Sequence, residues 1–299
     1  MTTPRISIAD WIAKAAANPV ERHRRQAVEV LVQAISDTAE LRDILFLKGG
    51  ALMNLVYGSP RTTVDVDFTA RAPRADLEGR VAALFDRAMG VAAVDLGYAA
   101  LAFRVQATEM RPPEEEFPWP TLRVKIGFAP RGTPQQERLA LGQAANVLRI
   151  DISFNEEVHD WQPVEIQTGE PDPYGVDDPQ TATILAYSVY ELVAEKLRAI
   201  VQQRLRNRYR RQDIFDVARL VSSRGFSAAE VARIHEIFCL KCRSRDIEPT
   251  RAMIDDPELR ARSRERYGDL RLDTGGAPLH FDADFQAVAT LYHAMPWPP

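Results

Sequence analysis

Two aspartates separated by one residue, in Val64-Asp65-Val66-Asp67-Phe68, are the part of this chain best suited to chemistry. In an extended strand the period of two puts both carboxylates on one face and Val64, Val66 and Phe68 on the other. Their spacing along the strand would be about 6.6 Å, two steps of roughly 3.3 Å. Like charges that close repel, and a divalent cation beside them relieves the repulsion. A hard cation such as Mg2+ takes oxygen ligands and shares them with substrate phosphates. Taken alone, an Asp-x-Asp strand is better read as a sheet face that simply meets water.

Residues upstream favour the chemical reading. Lys48-Gly49-Gly50 ends a short apolar strand and opens a helix, a place where backbone N–H groups can hold phosphate. A second strand repeats the alternation: Leu148, Ile150, Ile152 and Phe154 interleave with Arg149, Asp151, Ser153 and Asn155. Asp151 is the obvious third carboxylate. Paired beside the first strand it would help hold two metals; unpaired, it faces solvent.

Farther along, charges stand where apolar residues are expected. Val189, Leu192, Val193, Leu197, Ile200 and Val201 form one helical stripe, with Glu191, Glu195, Arg198 and Gln202 on the opposite face. Lys196 falls inside that stripe, so it either meets an anion or snorkels to water. In the next helix Asp213 lies on the apolar face with Val217 and Leu220, and Asp216 sits at its edge; capping of the helix start is the alternative to a role in a site. Between the two helices runs Arg204-Leu-Arg-Asn-Arg-Tyr-Arg-Arg211, five arginines with no acid among them. Such a run can grip triphosphate or RNA backbone, with Tyr209 available for stacking, or remain a solvated loop.

These residues need elements to position them. The first 40 residues read as two helices broken at Asn18-Pro19. Ile44 to Leu47 is a buried strand, Ala51 to Val56 a helix, Thr62 to Phe68 a strand and Ala72 to Met89 a helix. Strand candidates follow at Leu101 to Ala107, Leu122 to Phe128, Val147 to Phe154 and Val164 to Gln167. The proline- and aspartate-rich Pro171 to Pro179 reads as an exposed connection and a domain boundary. Beyond it the pattern is mainly helical, with capping boxes at Ser188-Val-Tyr-Glu191 and Ser227-Ala-Ala-Glu230, a Gly275-Gly276 turn and a last helix from Ala283 to Ala294.

Composition narrows the possibilities. A net charge of −4 in 299 residues argues against a protein that coats nucleic acid through its overall charge and leaves local basic patches as the route to it. Cys239 and Cys242 supply half of a structural zinc site at most, and are expected to be reduced residues of a helix. The start has no signal-peptide character and no stretch is apolar enough to span a bilayer, so a cytoplasmic location without membrane contact is expected. Lysine is scarce (Lys14, Lys48, Lys125, Lys196 and Lys241), which makes an oddly placed lysine more informative than an arginine.

Taken together, Phe46-Leu-Lys-Gly-Gly-Ala-Leu52, Arg61-Thr-Thr-Val-Asp-Val-Asp-Phe68, Arg149-Ile-Asp-Ile-Ser-Phe154, Ala194-Glu-Lys-Leu197 and Arg211-Gln-Asp-Ile-Phe-Asp216 resemble the AbiEii/AbiGii toxin family in order and spacing. The resemblance implies an α+β fold: a polymerase-beta-like nucleotidyltransferase core with a mixed sheet (residues 1–175), followed by a helical C-terminal domain (176–299). It further implies a toxin with a separately encoded antitoxin, which transfers nucleotides from an NTP to an RNA acceptor, the 3′ end of tRNA in some members, and so blocks translation and growth.

By motif position Gly49, Gly50, Asp65, Asp67, Lys196 and Asp213 match the family's active-site residues, while Asp151 matches a carboxylate strand. The expectation that follows has Asp65, Asp67 and Asp151 holding Mg2+, or Mn2+ in its place. Lys48, Gly49, Gly50, Arg61 and Lys196 then bind the NTP. Asp65, Asp67, Lys196 and Asp213 act in catalysis, Asp213 by orienting Lys196 or the nucleotide, and Arg204, Arg206, Arg208, Arg210 and Arg211 hold RNA. Gly50 stands where the wider superfamily has the serine of a Gly-Ser pair, leaving phosphate contact to the backbone. The first 40 residues and the tail beyond 225 carry no matched motif. Two other functions remain open: transfer to a small-molecule or protein hydroxyl, since the same core serves those acceptors, and a non-catalytic RNA- or nucleotide-binding module. Retention of every charged motif position counts against the second.

Overall fold

The computed structural model describes residues 4–15, 17–63, 65–113, 117–169, 180–203 and 205–298. The chain forms two compact units, one of Met1–Val56, Val64–Glu156 and Gln162–Ala186, the other of Tyr57–Thr63, Glu157–Trp161 and Tyr187–Pro299.

The first unit is built on an eight-stranded mixed sheet. Its strands are β1 (Arg5–Ser7), β2 (Leu45–Lys48), β3 (Asp65–Ala70), β4 (Leu101–Arg111), β5 (Thr121–Pro130), β6 (Asn146–Ser153), β7 (Trp161–Thr168) and β8 (Gln180–Tyr187), in the order β1-β7-β8-β2-β3-β6-β5-β4. The aspartate strand β3 lies well inside it, antiparallel to β2 and parallel to β6. Alternation does what the sequence predicts. Val66, Phe68, Ile150, Ile152, Leu122, Val124 and Ile126 are buried to 3% exposure or less, each removal from water contributing about 1.5–3 kcal/mol for a side chain of this size.

Helices α1 (Ile8–Ala13), α2 (Pro19–Asp37) and α3 (Ala39–Arg42) precede the core strands, and α4 (Gly49–Leu55) links β2 to β3. Pro19 opens α2 and the Asn18 side chain caps it by accepting from Glu21 N–H, so the predicted break at Asn18-Pro19 is a helix start. The expected helix over 72–89 is two, α5 (Arg74–Glu78) and α6 (Val81–Asp95), parted at Gly79-Arg80. Glycine is about 1 kcal/mol poorer than alanine inside a helix, and the chain turns there so that α6 can bury Val81, Leu84, Phe85, Ala88 and Met89. Helix α7 (Pro134–Ala140) and strands β1 and β8 have no counterpart in the sequence reading. Strand β8 extends the sheet unit to Ala186, beyond the expected boundary at 175. The Pro171–Pro179 connection itself lies outside the described residues. Within α2 the fully buried Glu29 is satisfied by the Tyr98 hydroxyl at 2.6 Å and Gly169 N–H at 2.8 Å.

The second unit is mainly helical, as expected: α8 (Val189–Gln202), α9 (Arg211–Arg224), α10 (Ala228–Arg243), α11 (Pro257–Arg264), α12 (Leu270–Asp273) and α13 (Phe281–His293). Helices α8 and α9 pack on each other, α10 on α8 and α13 on α9. Phe238, Tyr292 and Trp297 meet edge-on or tilted, with ring centroids 4.8–6.2 Å apart. Ser227 and Glu230 form the full capping box at the start of α10. At α8 only half forms: Ser188 caps Glu191 N–H, while the Glu191 carboxylate goes elsewhere.

Candidate active site

Strand pairing fixes how the carboxylates stand to one another in the sheet. Asp67 of β3 is directly opposite Asp151 of β6, which is opposite Arg123 of β5, which is opposite Glu109 of β4. One step away Asp65, Arg149 and Lys125 form a second row. Facing residues share a side, so the sheet presents a charged face with the two aspartates at its inner end. Asp65 has Arg149 at 3.8 Å, a loose and half-exposed pair worth little. Asp151 is held far more firmly. Arg123 donates from Nε at 2.7 Å and from Nη2 at 2.5 Å, one N–H to each carboxylate oxygen. This hydrogen bonding raises the already high guanidinium pKa despite partial burial.

The Gly-Gly turn belongs to this face. Gly49 adopts φ +67°, in the left-handed region where a β-carbon is costly, and sits flush against Asp67. A β-carbon there would lie 2.9 Å from Asp67 Cγ, overlapping the carboxylate. Helix α4 therefore begins beside Asp67. Lys48, expected at the NTP, is 6% exposed. Its Nζ donates to Ser153 Oγ at 3.2 Å and pairs with Glu156, which also accepts from Thr69 Oγ1. The nearby acid that satisfies it, Glu156, follows β6 closely and could not be placed without the sheet order.

In the helical unit the two misplaced charges find each other. Lys196 Nζ of α8 lies 3.0 Å from Asp213 Oδ1 and 2.7 Å from Asp216 Oδ2, both on α9. Asp216 is fully buried and also takes both arms of Arg61, Nη2 at 2.8 Å and Nε at 3.1 Å. Arg61 was expected on the triphosphate; the structure gives it to Asp216. Lys196 meets anions and does not snorkel. The four form a neutral quartet centred on Asp216, which the helical wheel placed only at the edge of its face.

Burial works against each charge in the quartet, and the partners overcome it. For Lys196 burial would lower the pKa, but Asp216 and Asp213 raise it. For Asp216 burial would raise it, but Lys196 and Arg61 hold the carboxyl below its ordinary range. For Arg61 burial is likewise outweighed, chiefly by Asp216.

The predicted RNA-binding run lies between α8 and α9. Arg206 and Arg208 are exposed; Arg210 and Arg211 are partly buried, and Arg210 approaches Asp213 at 3.7 Å. Arg204 lies outside the described residues. Arg262 of α11 lies over the Tyr209 ring at 6.0 Å and donates to Asn207 Oδ1 at 3.0 Å, so the run has a partner for its aromatic residue.

A second buried cluster escaped the sequence. Glu191, on the face of α8 opposite the apolar stripe, is fully buried. It pairs with Lys241 of α10 at 2.7 Å and accepts backbone N–H groups of His159 and Asp160 at 3.2 and 3.1 Å. Burial raises its pKa even with Lys241 opposing. Lys241 also lies 5.0 Å from the Tyr187 ring centroid. The scarcity of lysine was the available signal. Cys239 and Cys242 are free thiols on α10, as expected, and burial pushes the Cys242 thiol up to about 12, far from a reactive thiolate.

Among the described residues no three His, Cys, Asp or Glu side chains are grouped to hold a metal ion, and no helix is long and apolar enough to cross a membrane. The profile of the nucleotidyl transferase AbiEii toxin, type IV toxin–antitoxin system, matches residues 30–290. No curated protein matches the chain. Similar solved structures include MenT4, a nucleotidyltransferase toxin from Mycobacterium tuberculosis (14% identity, 94% of this chain and 98% of that one covered, TM-score 0.48). Another is JHP933 from Helicobacter pylori (12% identity, 90% and 89% covered, TM-score 0.45). The profile reaches well past residue 225, where motifs alone gave no match, so most of the tail is family sequence too. The match spans far more than half of the sequence, and the chain belongs to the AbiEii family of nucleotidyltransferase toxins.

Proposed function

We propose that the chain transfers nucleotides from an NTP to the 3′-hydroxyl of an RNA, with tRNA as the acceptor, in a Mg2+-dependent reaction, and that a separately encoded antitoxin restrains it. The observation that carries this reading is the Asp65–Asp67 pair on the charged sheet face with Gly49 packed against Asp67. The donor set fits the ion. Two adjacent carboxylates offer hard oxygens, and Mg2+ is usually held by one or two carboxylates plus substrate phosphates rather than by an all-protein cage. Bound there, Mg2+ would supply Lewis-acid stabilisation of charge on the phosphates.

The protein's own groups do the rest. Asp65 and Asp67 hold the ion and fix where the phosphates sit. The turn at Gly49-Gly50 brings backbone N–H groups beside Asp67 with no side chain in the way, so phosphate contact comes from the main chain. Arg61 and Lys48, each spent on an internal carboxylate, act as positioning residues on this reading. Lys196 and Asp213 keep a part in nucleotide use from their motif positions. The exposed Arg206 and Arg208 give the acceptor a basic contact in a chain of net charge −4.

The test is incubation with each labelled NTP and total RNA, then with isolated tRNA, with and without Mg2+. Label from one NTP should enter tRNA, require the metal and vanish in Asp67→Asn. Label in protein or a small molecule would redirect the reading to another acceptor, and no transfer with any acceptor would overturn it.

A further inference from the structure

The third carboxylate of the charged face is already occupied. Arg123 and Asp151 sit opposite each other in β5 and β6, each with a side chain under a fifth exposed, and are joined by two N–H···O bonds of 2.7 and 2.5 Å. Both carboxylate oxygens are engaged by a planar fork that matches them. A guanidinium does not lose its proton in the working pH range, so Arg123 keeps its charge and its donors. The next acid outward, Glu109, is paired with Arg111 at 2.9 Å and offers Arg123 no alternative partner free of competition. Inward, Asp67 has Gly49 against it.

From this arrangement we propose that Arg123 is a specificity-determining residue that withholds Asp151 from the metal, so that the resting protein takes one divalent cation, on Asp65 and Asp67, where three carboxylates on adjacent strands would otherwise take two. Asp151 then acts as the anchor of Arg123, and both of its oxygens are taken by the guanidinium, leaving neither for a second cation. The inference rests on the proposed metal-dependent function and specifies the metal count of the same site.

Mn2+ alone is the probe. Its binding to nucleotide-free protein is followed by electron paramagnetic resonance and calorimetry, neither of which depends on activity. The native protein should bind one equivalent. Asp151→Asn should leave that affinity within about threefold, short of the roughly 10–100-fold that changes in a metal's surroundings cost. Arg123→Gln should add a second equivalent, which Arg123→Gln with Asp151→Asn should lose again. Arg123→Lys keeps the charge without the fork and guards against misfolding of the glutamine variant; it should admit the second ion more weakly. Two equivalents in the native protein, or a tenfold or greater loss on Asp151→Asn alone, would overturn the inference while leaving the metal-dependent reading intact. No Mn2+ bound by native protein, with Asp67→Asn indistinguishable from it, would sink both.

Discussion

Removing the hub of the Lys196–Asp213–Asp216–Arg61 quartet should unfold the helical unit more easily than any surface change. In Asp216→Ala, Arg61 loses two hydrogen bonds to the Asp216 carboxylate, and Lys196 loses one and keeps Asp213. The quartet passes from neutral to a net charge of +1 in a place where Asp216 and Lys196 are 0% and 6% exposed. Leaving a buried charge unpaired costs about 3–5 kcal/mol, and the two arms lost by Arg61 put this case in the upper half of that range. Urea unfolding followed by far-ultraviolet circular dichroism reads the loss as a lower midpoint at unchanged slope. A replacement of the same size that removes the three most buried charges together, Arg61→Met with Lys196→Met and Asp216→Leu, should recover most of the stability, because the Asp213 that remains is partly exposed and keeps Arg210 at 3.7 Å. A loss under about 1 kcal/mol in Asp216→Ala would place the quartet with ordinary surface pairs and refute the reasoning.

The same quartet fixes a pH dependence. The Asp216 pKa is lowered by folding, so its contribution is complete above the ordinary carboxylate value of 3.8 and is lost as pH falls through the depressed value. The Lys196 pKa is raised, so its contribution is complete below 10.5 and is lost as pH rises through the elevated value. Between those limits the quartet contributes no slope, and a stability profile of the helical unit that bends between pH 5 and 9 in native protein but not in the triple replacement would contradict this.

Three further outcomes are expected. Asp67→Ala should abolish transfer while leaving the thermal midpoint unchanged or higher, because one of two close like charges is gone; unchanged transfer ends the metal reading. Gly49→Ala forces a β-carbon into the left-handed region, costing about 1–2 kcal/mol, and pushes on Asp67, so turnover should fall much further than stability does; full turnover would mean that the glycine serves only the turn. Replacing Arg206, Arg208 and Arg210 by alanine should weaken RNA binding and flatten its salt dependence by about 0.7 in slope per lost single-strand phosphate contact, whereas an intact slope with weaker NTP use would move the run to the triphosphate.

What the sequence made legible was whatever depends on one element alone. The period of two placed Asp65 and Asp67 together, and the period of 3.6 marked Lys196 and Asp213 as charges on apolar faces. Relations between elements were out of reach. Nothing local says that β5 lies beside β6, so nothing singled out Arg123 within the strand candidate Leu122 to Phe128. A helical wheel put Glu191 opposite the apolar stripe and could not show that this side is covered too, since α8 packs against α9 and α10 and also holds the 159–160 backbone. Strand β8 was hidden by a boundary drawn at the prolines before it. The internal partners of Lys48 and Arg61, Glu156 and Asp216, were out of reach for a related reason: they are distant in sequence.

The five lysines end up sorted by access. Lys48, Lys196 and Lys241 are each 5–6% exposed and each tied to a carboxylate, leaving Lys14 and Lys125 as the side-chain amines within reach of solvent. Amine-directed reagents, whether crosslinkers, fluorophores or acetylating agents, will therefore mark this protein at Lys14 and Lys125, both carried by the sheet unit, and leave the helical unit blank. Label arriving at Lys196 or Lys241 becomes a direct gauge of how often that unit opens.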